Sequence, residues 1–367
     1  MTEAQGNHDQ RPSRAAPRPM WWARTLQNVF SEAYALPLVW VAMIIFFMVL
    51  PATSAQFTSA QTYAVIVGIQ SVPLILALAV LVPMIGQDFD LSTPNTLLLS
   101  SMMVALLTTR HGVPVWLAIV LALLAGLVIG LINGILCAKL GLFSFIVTLG
   151  TGSLVFGITV YISDNQIVSG VSPTLSDVML QRVLNLPVQF YVGVVLAAAI
   201  WWWIRYMPSG RRHTYAGDSR EVALLSGVRV ARVRIGSFCV AGMLAAAAGV
   251  ANIAQSGSAD PSGNPNLLLA AFAAVFLGGT TITPGRFNAW GTVIALLFLG
   301  TGVTALQIVG LSSYIQQIFF GGALVLGVLF ARLASRRREL KEEREALREG
   351  LDETDEILEA QGMGQKA

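Results

Sequence analysis

The feature that most constrains this chain is a succession of long apolar stretches separated by isolated charges. Only 12% of its 367 residues are charged and 55% are hydrophobic, whereas about one quarter of a typical soluble domain is charged. A helix needs about 20 mostly apolar residues to cross a bilayer, and the stretches between Glu32 and Arg332 have room for about ten such helices. The sequence therefore predicts an all-α, polytopic transmembrane helical bundle of about ten spans.

The positions of Lys and Arg test this count, because these residues gather in the cytoplasmic segments beside membrane-spanning helices. When ten spans are threaded alternately with the N-terminus inside, all of the 23 Lys and Arg residues except Arg110 and Arg182 fall on the inner side. Shifting the count by one span would scatter this pattern. We therefore expect both the N- and C-termini in the cytoplasm.

A cleaved signal peptide is the alternative interpretation of the first apolar run, residues 36–50. The Ala-Thr-Ser-Ala sequence at 52–55 resembles a signal-peptidase site. However, the segment before the run is too long and too polar for the usual amino-terminal region of a signal peptide. A retained first helix, which also keeps the charge pattern consistent, is favoured.

Composition divides the chain into three regions. Residues 1–32 are predicted to form a cytoplasmic leader, partly disordered because it lacks apolar content. Residues 33–331 are predicted to form the transmembrane domain, which includes a cytoplasmic loop at 205–234. Residues 332–367 form a charged cytoplasmic tail. The segment from 164 to 187 is the largest predicted outward loop and offers a place for a soluble partner.

The sequence gives no catalytic residues and no metal site. His8, His111 and His213 fall in separate regions of the predicted topology, and no G-x-S-x-G or H-E-x-x-H motif occurs. The three lysines are followed by Leu, Glu and Ala, so a phosphate-binding Gly-Lys-Ser/Thr loop is excluded. Cys137 and Cys239 lie in apolar spans and are interpreted as small core residues rather than a disulfide.

The most polar segment between two long apolar runs is 86–95, which contains Asp88 and Asp90. Carboxylates at membrane depth are costly and usually face a cavity. One interpretation is a discontinuous helix near 83–95 that borders a water-filled path. The other is an ordinary inner loop in which Asp90 or Ser92 caps the next helix. The two interpretations are compatible.

The cytoplasmic loop carries the pattern of a short helix. Asp218 or Ser219 supplies a helix cap, Val222 and Leu225 form a small apolar stripe, and Gly227 is a stop signal. This pattern predicts a two-turn helix that lies on the inner face of the membrane. By itself it is typical of an interfacial loop.

A series of short motifs occurs in a fixed order from about Gly86 to Phe330. They are Asn133-Gly134, Phe145-Ile-Val-Thr-Leu-Gly-Thr151, Gly210-Arg211, Tyr215-Ala-Gly217, Ala223, Ser226-Gly227, Leu277-Gly-Gly-Thr280, Pro284-Gly-Arg286, Gly291-Thr292 and Ile308-Val-Gly310. In order and spacing they resemble the permease subunits of ribose, xylose and galactose-type ABC importers. One residue of the family motif is missing between Tyr215 and Gly217.

A second departure from the family pattern follows Phe89-Asp-Leu-Ser92. The family usually continues with Val-Gly, whereas this chain continues with Thr93-Pro94. A proline restricts the backbone of the residue before it. The geometry of the path, and with it the identity of the solute, is therefore open.

The resemblance implies a non-catalytic membrane subunit of a transport ATPase in the bacterial cytoplasmic membrane. It implies two cytoplasmic subunits that bind ATP and Mg²⁺, a second permease copy, an extracytoplasmic solute-binding protein and a monosaccharide-like solute. No nucleic acid is implied, and membrane lipid surrounds the chain. Transport would proceed by alternating access. The rival interpretations are a membrane-embedded enzyme, for which no catalytic residues are found, and a proton-coupled secondary transporter that uses Asp88 or Asp90.

The resemblance and the residue patterns together give two candidate sets. The translocation path is predicted to include Asp88, Asp90, Ser92, Asn95, Asn133, Phe145 and Thr148. The ATPase-coupling helix is predicted to include Ser219, Arg220, Glu221, Val222, Ala223, Leu225, Ser226 and Gly227. No cofactor is predicted within this chain.

The charge pattern makes a topological prediction. Reporter fusions at residue 20, in the 205–234 loop and after residue 340 should report the cytoplasm, and a fusion near residue 175 should report the outside. Alkaline phosphatase and fluorescent-protein fusions measure this directly. An external signal from the 205–234 loop would overturn the topology and the coupling assignment together.

Overall fold

The computed structural model describes residues 32–170, 173–263, 266–312, 314–333 and Arg336. After a 3-10 turn (Glu32–Tyr34), the helices are α1 (Ala35–Val49), α2 (Ser54–Phe57), α3 (Ala60–Ile85), α4 (Thr93–Thr109), α5 (Val115–Ala138), α6 (Ser144–Ser163), α7 (Pro173–Leu180), α8 (Val188–Tyr206), α9 (Pro208–Asp218), α10 (Arg220–Leu225), α11 (Val230–Ser256), α12 (Asn266–Gly278), α13 (Ala289–Ile308) and α14 (Tyr314–Leu333). The predicted leader and most of the predicted tail lie outside the described residues.

The helices confirm a polytopic helical membrane protein. Seven of the described helices are long and apolar enough to cross a bilayer, namely α3, α5, α6, α8, α11, α13 and α14. The apolar helices α1 and α12 are shorter, and α4 has 17 residues. The total of ten spans and the orientation of the termini stay predictions.

Helix α11 organises the bundle, because it packs against α3, α4 and α5. Its pairing with α5 depends on glycine. A Cβ atom at Gly242 would lie 2.1 Å from the Gly126 carbonyl oxygen, and one at Gly130 would lie 2.1 Å from the Phe238 carbonyl oxygen. Small residues at four-residue spacing let membrane helices approach at backbone distance. This contact brings the first turn of α11 beside the last turns of α5.

The interruption of the chain at 86–92 separates two helices instead of breaking one span. Helix α3 continues through Pro73 and Pro83 and ends at Ile85. A tight turn then leads into α4, which begins at Thr93. The predicted interruption near 83–95 is therefore present at 86–92 but falls between two helices, and Pro83 is accommodated inside α3.

A half-length helix occurs elsewhere, at α12. Its 13 residues span about 20 Å, which is less than the roughly 30 Å of a bilayer core. Between α11 and residue 263 the chain forms β4 (Ser258–Ala259), which pairs with β1 (Val168–Ser169), and a turn at 261–262. Gly263, close to the start of α12, packs against the Leu98 side chain in the middle of α4. The chain therefore reaches the interior of the bundle before α12 begins.

The predicted outward loop at 164–187 contains regular structure. It includes β1, α7 and a hairpin formed by β2 (Arg182–Val183) and β3 (Leu186–Pro187). Leu175 on α7 is buried against the ends of α4 and α11 in a cluster that also contains Val168. This segment is therefore packed onto the bundle and presents a structured surface.

Candidate functional site

The polar centre of the protein is the turn over residues 86–92, called here the acidic turn. Its Asp88 carboxylate is buried and accepts two hydrogen bonds from Arg234 in α11, from Nε at 2.7 Å and from Nη2 at 2.7 Å. Arg220 of α10 donates a third hydrogen bond to the same carboxylate at 3.1 Å. Arg234 also donates to the Cys137 carbonyl oxygen at 3.0 Å. One side chain therefore joins three separate segments of the chain.

The two arginines bind Asp88 in different surroundings. The side chain of Arg234 is 12% exposed and that of Arg220 is 42% exposed. A buried charge that loses its partner is strongly destabilising, whereas an exposed ion pair contributes about 0–1 kcal/mol. Arg234 is therefore the structural partner of Asp88. The hydrogen bond between Arg220 and Asp88 is weaker and can be made and broken.

Asp90 faces away from the arginines and organises a chain of hydrogen bonds. Its Oδ1 accepts from the Ser92 backbone N–H at 2.9 Å and from the Ser92 hydroxyl at 2.6 Å. Asn133 Nδ2 donates to the Ser92 hydroxyl at 2.9 Å, and the Thr151 hydroxyl donates to Asn133 Oδ1 at 2.7 Å. Asp90, rather than the Ser92 side chain, closes the turn before α4. The chain links α4, α5 and α6.

Backbone groups of the acidic turn are bound to the start of α6. The Phe89 N–H donates to Ser144 Oγ at 3.1 Å, and the Leu91 N–H donates to Thr148 Oγ1 at 3.0 Å. These two donors lie in a turn with no regular secondary-structure partner, so the two hydroxyls satisfy groups that would be costly to bury unpaired.

Burial raises the pKa of Asp90 to about 6. The hydrogen bonds from Ser92 lower this pKa, but their effect is smaller than that of burial.

The predicted coupling helix is present as α10. The Ser219 hydroxyl accepts from the Val222 N–H at 3.4 Å and caps it, and Gly227 adopts a positive φ of 77° just after it. Leu225 is 89% exposed, and Val222 and Leu224 are exposed beside it. The apolar ridge inferred from the sequence is therefore free on the described surface of the chain.

Ala223 has a different environment from the rest of the predicted coupling set. It is 3% exposed and packs with Ala216 and Val230 inside the chain. Its side chain therefore cannot reach a partner, and the expectation that Ala223 lies at the docking contact is corrected. It holds α10 against α9 and the first turn of α11 instead.

Helix α9, which the sequence analysis did not identify, fixes this assembly to α3. A Cβ atom at Gly217 would lie 2.1 Å from the Ile85 carbonyl oxygen, so only glycine permits this contact. The buried His213 ring stacks on Trp203, and its Nε2 lies 2.8 Å from the Val82 carbonyl oxygen near the end of α3. Burial lowers the pKa of His213, which favours the neutral imidazole. The glycine in the Tyr215-Ala-Gly217 motif was the sequence signal that could have indicated this close contact.

A cavity of about 360 Å³ lies beside the acidic turn, between α4, α6 and α12. Of the residues predicted to line the path, Asn95 lines this cavity. Asn133 and Thr148 are buried in the hydrogen-bond chains, and Phe145 is exposed on α6. No charged side chain lines this cavity in the part of the chain that the structure describes. Its lining residues are Leu91, Pro94, Asn95, Leu98, Leu149, Phe156, Ser262, Leu267 and Leu268.

Comparison with known proteins identifies related chains. A family model described as "Branched-chain amino acid transport system / permease component" matches residues 62–329. The ribose import permease protein of Bacillus subtilis is 35% identical over 248 residues, covering 67% of this chain and 77% of that protein. The D-allose transport system permease protein of Escherichia coli is 30% identical, covering 72% and 82%. The autoinducer 2 import system permease protein of Escherichia coli is 28% identical, covering 73% and 83%. No solved structure matches significantly.

The unequal burial of the two arginines predicts unequal effects. We expect Arg234→Gln to lower stability by about 3–5 kcal/mol, because it leaves the Asp88 carboxylate without its buried partner. Arg220→Gln is the matched control and should cost at most about 1 kcal/mol. Thermal unfolding of the purified protein in detergent measures both. The double variant Asp88→Asn with Arg234→Gln should recover part of the loss, and equal effects of the two single variants would contradict this assignment.

Proposed function

The chain belongs to the family of branched-chain amino acid transport system permease components, together with import permeases for ribose and related sugars, and from this premise we propose its specific role. It is the transmembrane permease subunit of an ATP-binding cassette importer that carries a monosaccharide or a similar small polar solute across the cytoplasmic membrane. The observation that carries the proposal is the bond between Arg220 of the exposed helix α10 and the buried Asp88 in the acidic turn between α3 and α4.

The cavity favours a sugar-like solute over an amino acid. An amino acid carries a carboxylate and an ammonium group at neutral pH, and burying either without a partner is costly. The described lining of the cavity offers an amide at Asn95, a hydroxyl at Ser262 and apolar side chains. A neutral solute with several hydroxyl groups loses less on entering such a cavity. Relatives named for ribose, D-allose and fructose import support the same class.

The contacts of α10 supply a route for alternating access. Its exposed apolar ridge suits a groove on a cytoplasmic ATPase, in the manner of helix-in-groove recognition. Its inner face is fixed to α9 and α11 through Ala223, and Arg220 reaches the acidic turn. Movement of the ATPase therefore displaces α10, α9 and the acidic turn as one body. The hydrogen bonds from the turn to Ser144 and Thr148 pass this displacement to α6.

The complete transporter is proposed to contain two such permease chains, two ATPase subunits and an extracytoplasmic binding protein. ATP and Mg²⁺ bind to the ATPase subunits. The structured outer segment with α7 and its two strand pairs is the proposed landing surface for the binding protein. This chain has no catalytic role in ATP hydrolysis.

A proton-coupled secondary transporter is the competing function. Asp88 is held in ion pairs with two arginines, which assigns it a structural role. Asp90, whose pKa is raised to about 6, is the group that such a mechanism would use. Both of its hydrogen bonds come from Ser92 beside it, however, and they close the turn before α4.

Transport measurements separate the two functions. We expect ATP-dependent uptake of a neutral sugar by proteoliposomes that contain the permease, its ATPase and its binding protein, with D-ribose, D-allose and D-fructose as probes. Uptake should persist when a protonophore is added, because ATP hydrolysis and not a proton gradient drives it. Uptake that stops with the protonophore and ignores ATP would establish the proton-coupled mechanism instead.

The exposed ridge of α10 gives a test of ATPase docking. Leu225→Asp should leave membrane insertion unchanged, because this side chain is almost fully solvent-accessible. In the complex it should place a carboxylate in an apolar groove, which costs binding free energy. We expect reduced co-purification of the ATPase and reduced ATP-driven uptake.

The matched control is Leu184→Asp, a leucine that is 87% exposed in the outer hairpin segment. It changes the same side chain at nearly the same exposure on the predicted opposite face, so ATPase recovery should stay at the parent level. Full ATPase recovery with Leu225→Asp would contradict the docking assignment. Ala223→Asp is not a suitable test, because Ala223 is buried within the chain.

A further inference from the structure

Two phenylalanine rings meet where the acidic turn packs against α12. Phe89 of the turn and Phe272 of α12 stack with their ring centroids 6.3 Å apart and their planes at 25°. Phe272 is buried, whereas Phe89 is 39% exposed although Asp88 and Asp90 on either side of it are both buried. The Phe89 ring therefore projects from a turn whose flanking carboxylates are fixed.

The ring pair lies at one end of the cavity. Leu91 is two residues beyond Phe89, and Leu268 is one helical turn before Phe272; both line the cavity. On the other side, α12 ends, and the segment that follows it is bound to α9 by an ion pair between Arg286 and Asp218 at 2.9 Å. The ring pair therefore lies next to the cavity, on the side where α12 ends.

The position of Phe89 is coupled to α10. Its neighbour Asp88 accepts the hydrogen bond from Arg220. Its own backbone N–H donates to Ser144 Oγ, and its carbonyl oxygen accepts from Thr148 Oγ1 at 3.3 Å. A displacement of α10 therefore acts on the residue beside the ring. The contacts with α6 make the turn move with that helix.

We propose that Phe89 and Phe272 form the inner gate of the solute cavity, an inference that rests on the function proposed above. Two apolar rings in contact exclude water from a narrow passage, and hydrophobic constrictions close pores in this way. The stacked arrangement is the closed state. Ala223 fixes α10 to the first turn of α11, and Arg234 and Arg220 both bind Asp88, so α10, the start of α11 and the acidic turn move together when the ATPase moves α10. Phe89 then separates from Phe272, and the cavity opens toward the cytoplasm.

Accessibility of a cysteine inside the cavity tests the gate without reference to any solute. Leu268→Cys is introduced into a chain with Cys137→Ala and Cys239→Ala, and the full complex is placed in inside-out membrane vesicles. A membrane-impermeant, cationic methanethiosulfonate reagent is added from the cytoplasmic side, with and without ATP. We expect labelling of the parent to depend on the nucleotide state and to be slow in one state.

Removal of either ring should abolish the slow labelling of the cysteine at position 268. In the state in which the parent is labelled most slowly, Phe89→Ala and Phe272→Ala should each raise the labelling rate several-fold. Phe89→Ala is the more informative variant, because its partly exposed ring contributes less to folding than the buried Phe272. The control is Phe276→Ala, one turn further along α12, where the lost ring contacts Phe287 instead. Its labelling rate should equal that of the parent.

The outcomes separate the gate from the transport function. Any of three results would overturn the gate. These are unchanged labelling rates in both ring variants, an equal increase in rate with Phe276→Ala, and fast labelling of the parent in every nucleotide state. ATP-driven D-ribose, D-allose and D-fructose uptake by the parent complex, measured separately in proteoliposomes, tests the proposed function. Absence of uptake together with ring-dependent protection would leave the gate standing and overturn the function.

Discussion

The buried carboxylate of Asp88 is the constraint on which the site depends. A charge in this position must be neutralised, and the two hydrogen bonds from Arg234 do so while fixing the start of α11 against the end of α5. The bond from Arg234 to the Cys137 carbonyl oxygen needs a close approach of α5 and α11, which the glycines at their contact allow. The third bond, from Arg220, is then an addition to a pair that is already neutral. It can change during transport without exposing an unpaired charge.

Much of the fold could be predicted because the bilayer limits what an apolar chain can form. Charge-free stretches, the distribution of Lys and Arg, and the capping pattern around α10 are local signals that need no knowledge of tertiary contacts. The role of Asp88 was not accessible in this way. Its partners Arg220 and Arg234 are 132 and 146 residues away in sequence, so an acid between apolar runs appeared to border the path. The burial of Ala223 depends on packing between three helices, because Ala223 contacts Ala216 of α9 and Val230 of α11, and the pattern of α10 alone does not show this.

The half-length helix α12 shows a second limit of sequence patterns. The apolar content of its region is sufficient for a full span, and a count of charge-free residues treats it as one. In the structure, the short strand β4 and a turn at 261–262 take up part of this region, and α12 has only 13 residues. This arrangement produces the cavity, because the start of a short helix leaves space between α4 and α6 that a full-length helix would fill. The cavity, and the gate proposed beside it, therefore follow from a feature that hydropathy does not distinguish.

Pro94 connects this cavity to the question of the solute. The residue lies in the first turn of α4, where a proline is favourable because its missing N–H has no helical partner to lose. The departure from the family pattern at this position is thus compatible with an ordinary helix start. Its ring, however, lines the cavity beside Asn95. Proline at this position therefore changes the shape of the wall and adds no charge. We expect it to affect which neutral solutes fit by size and ring geometry, and not to oppose the proposed selection of uncharged solutes.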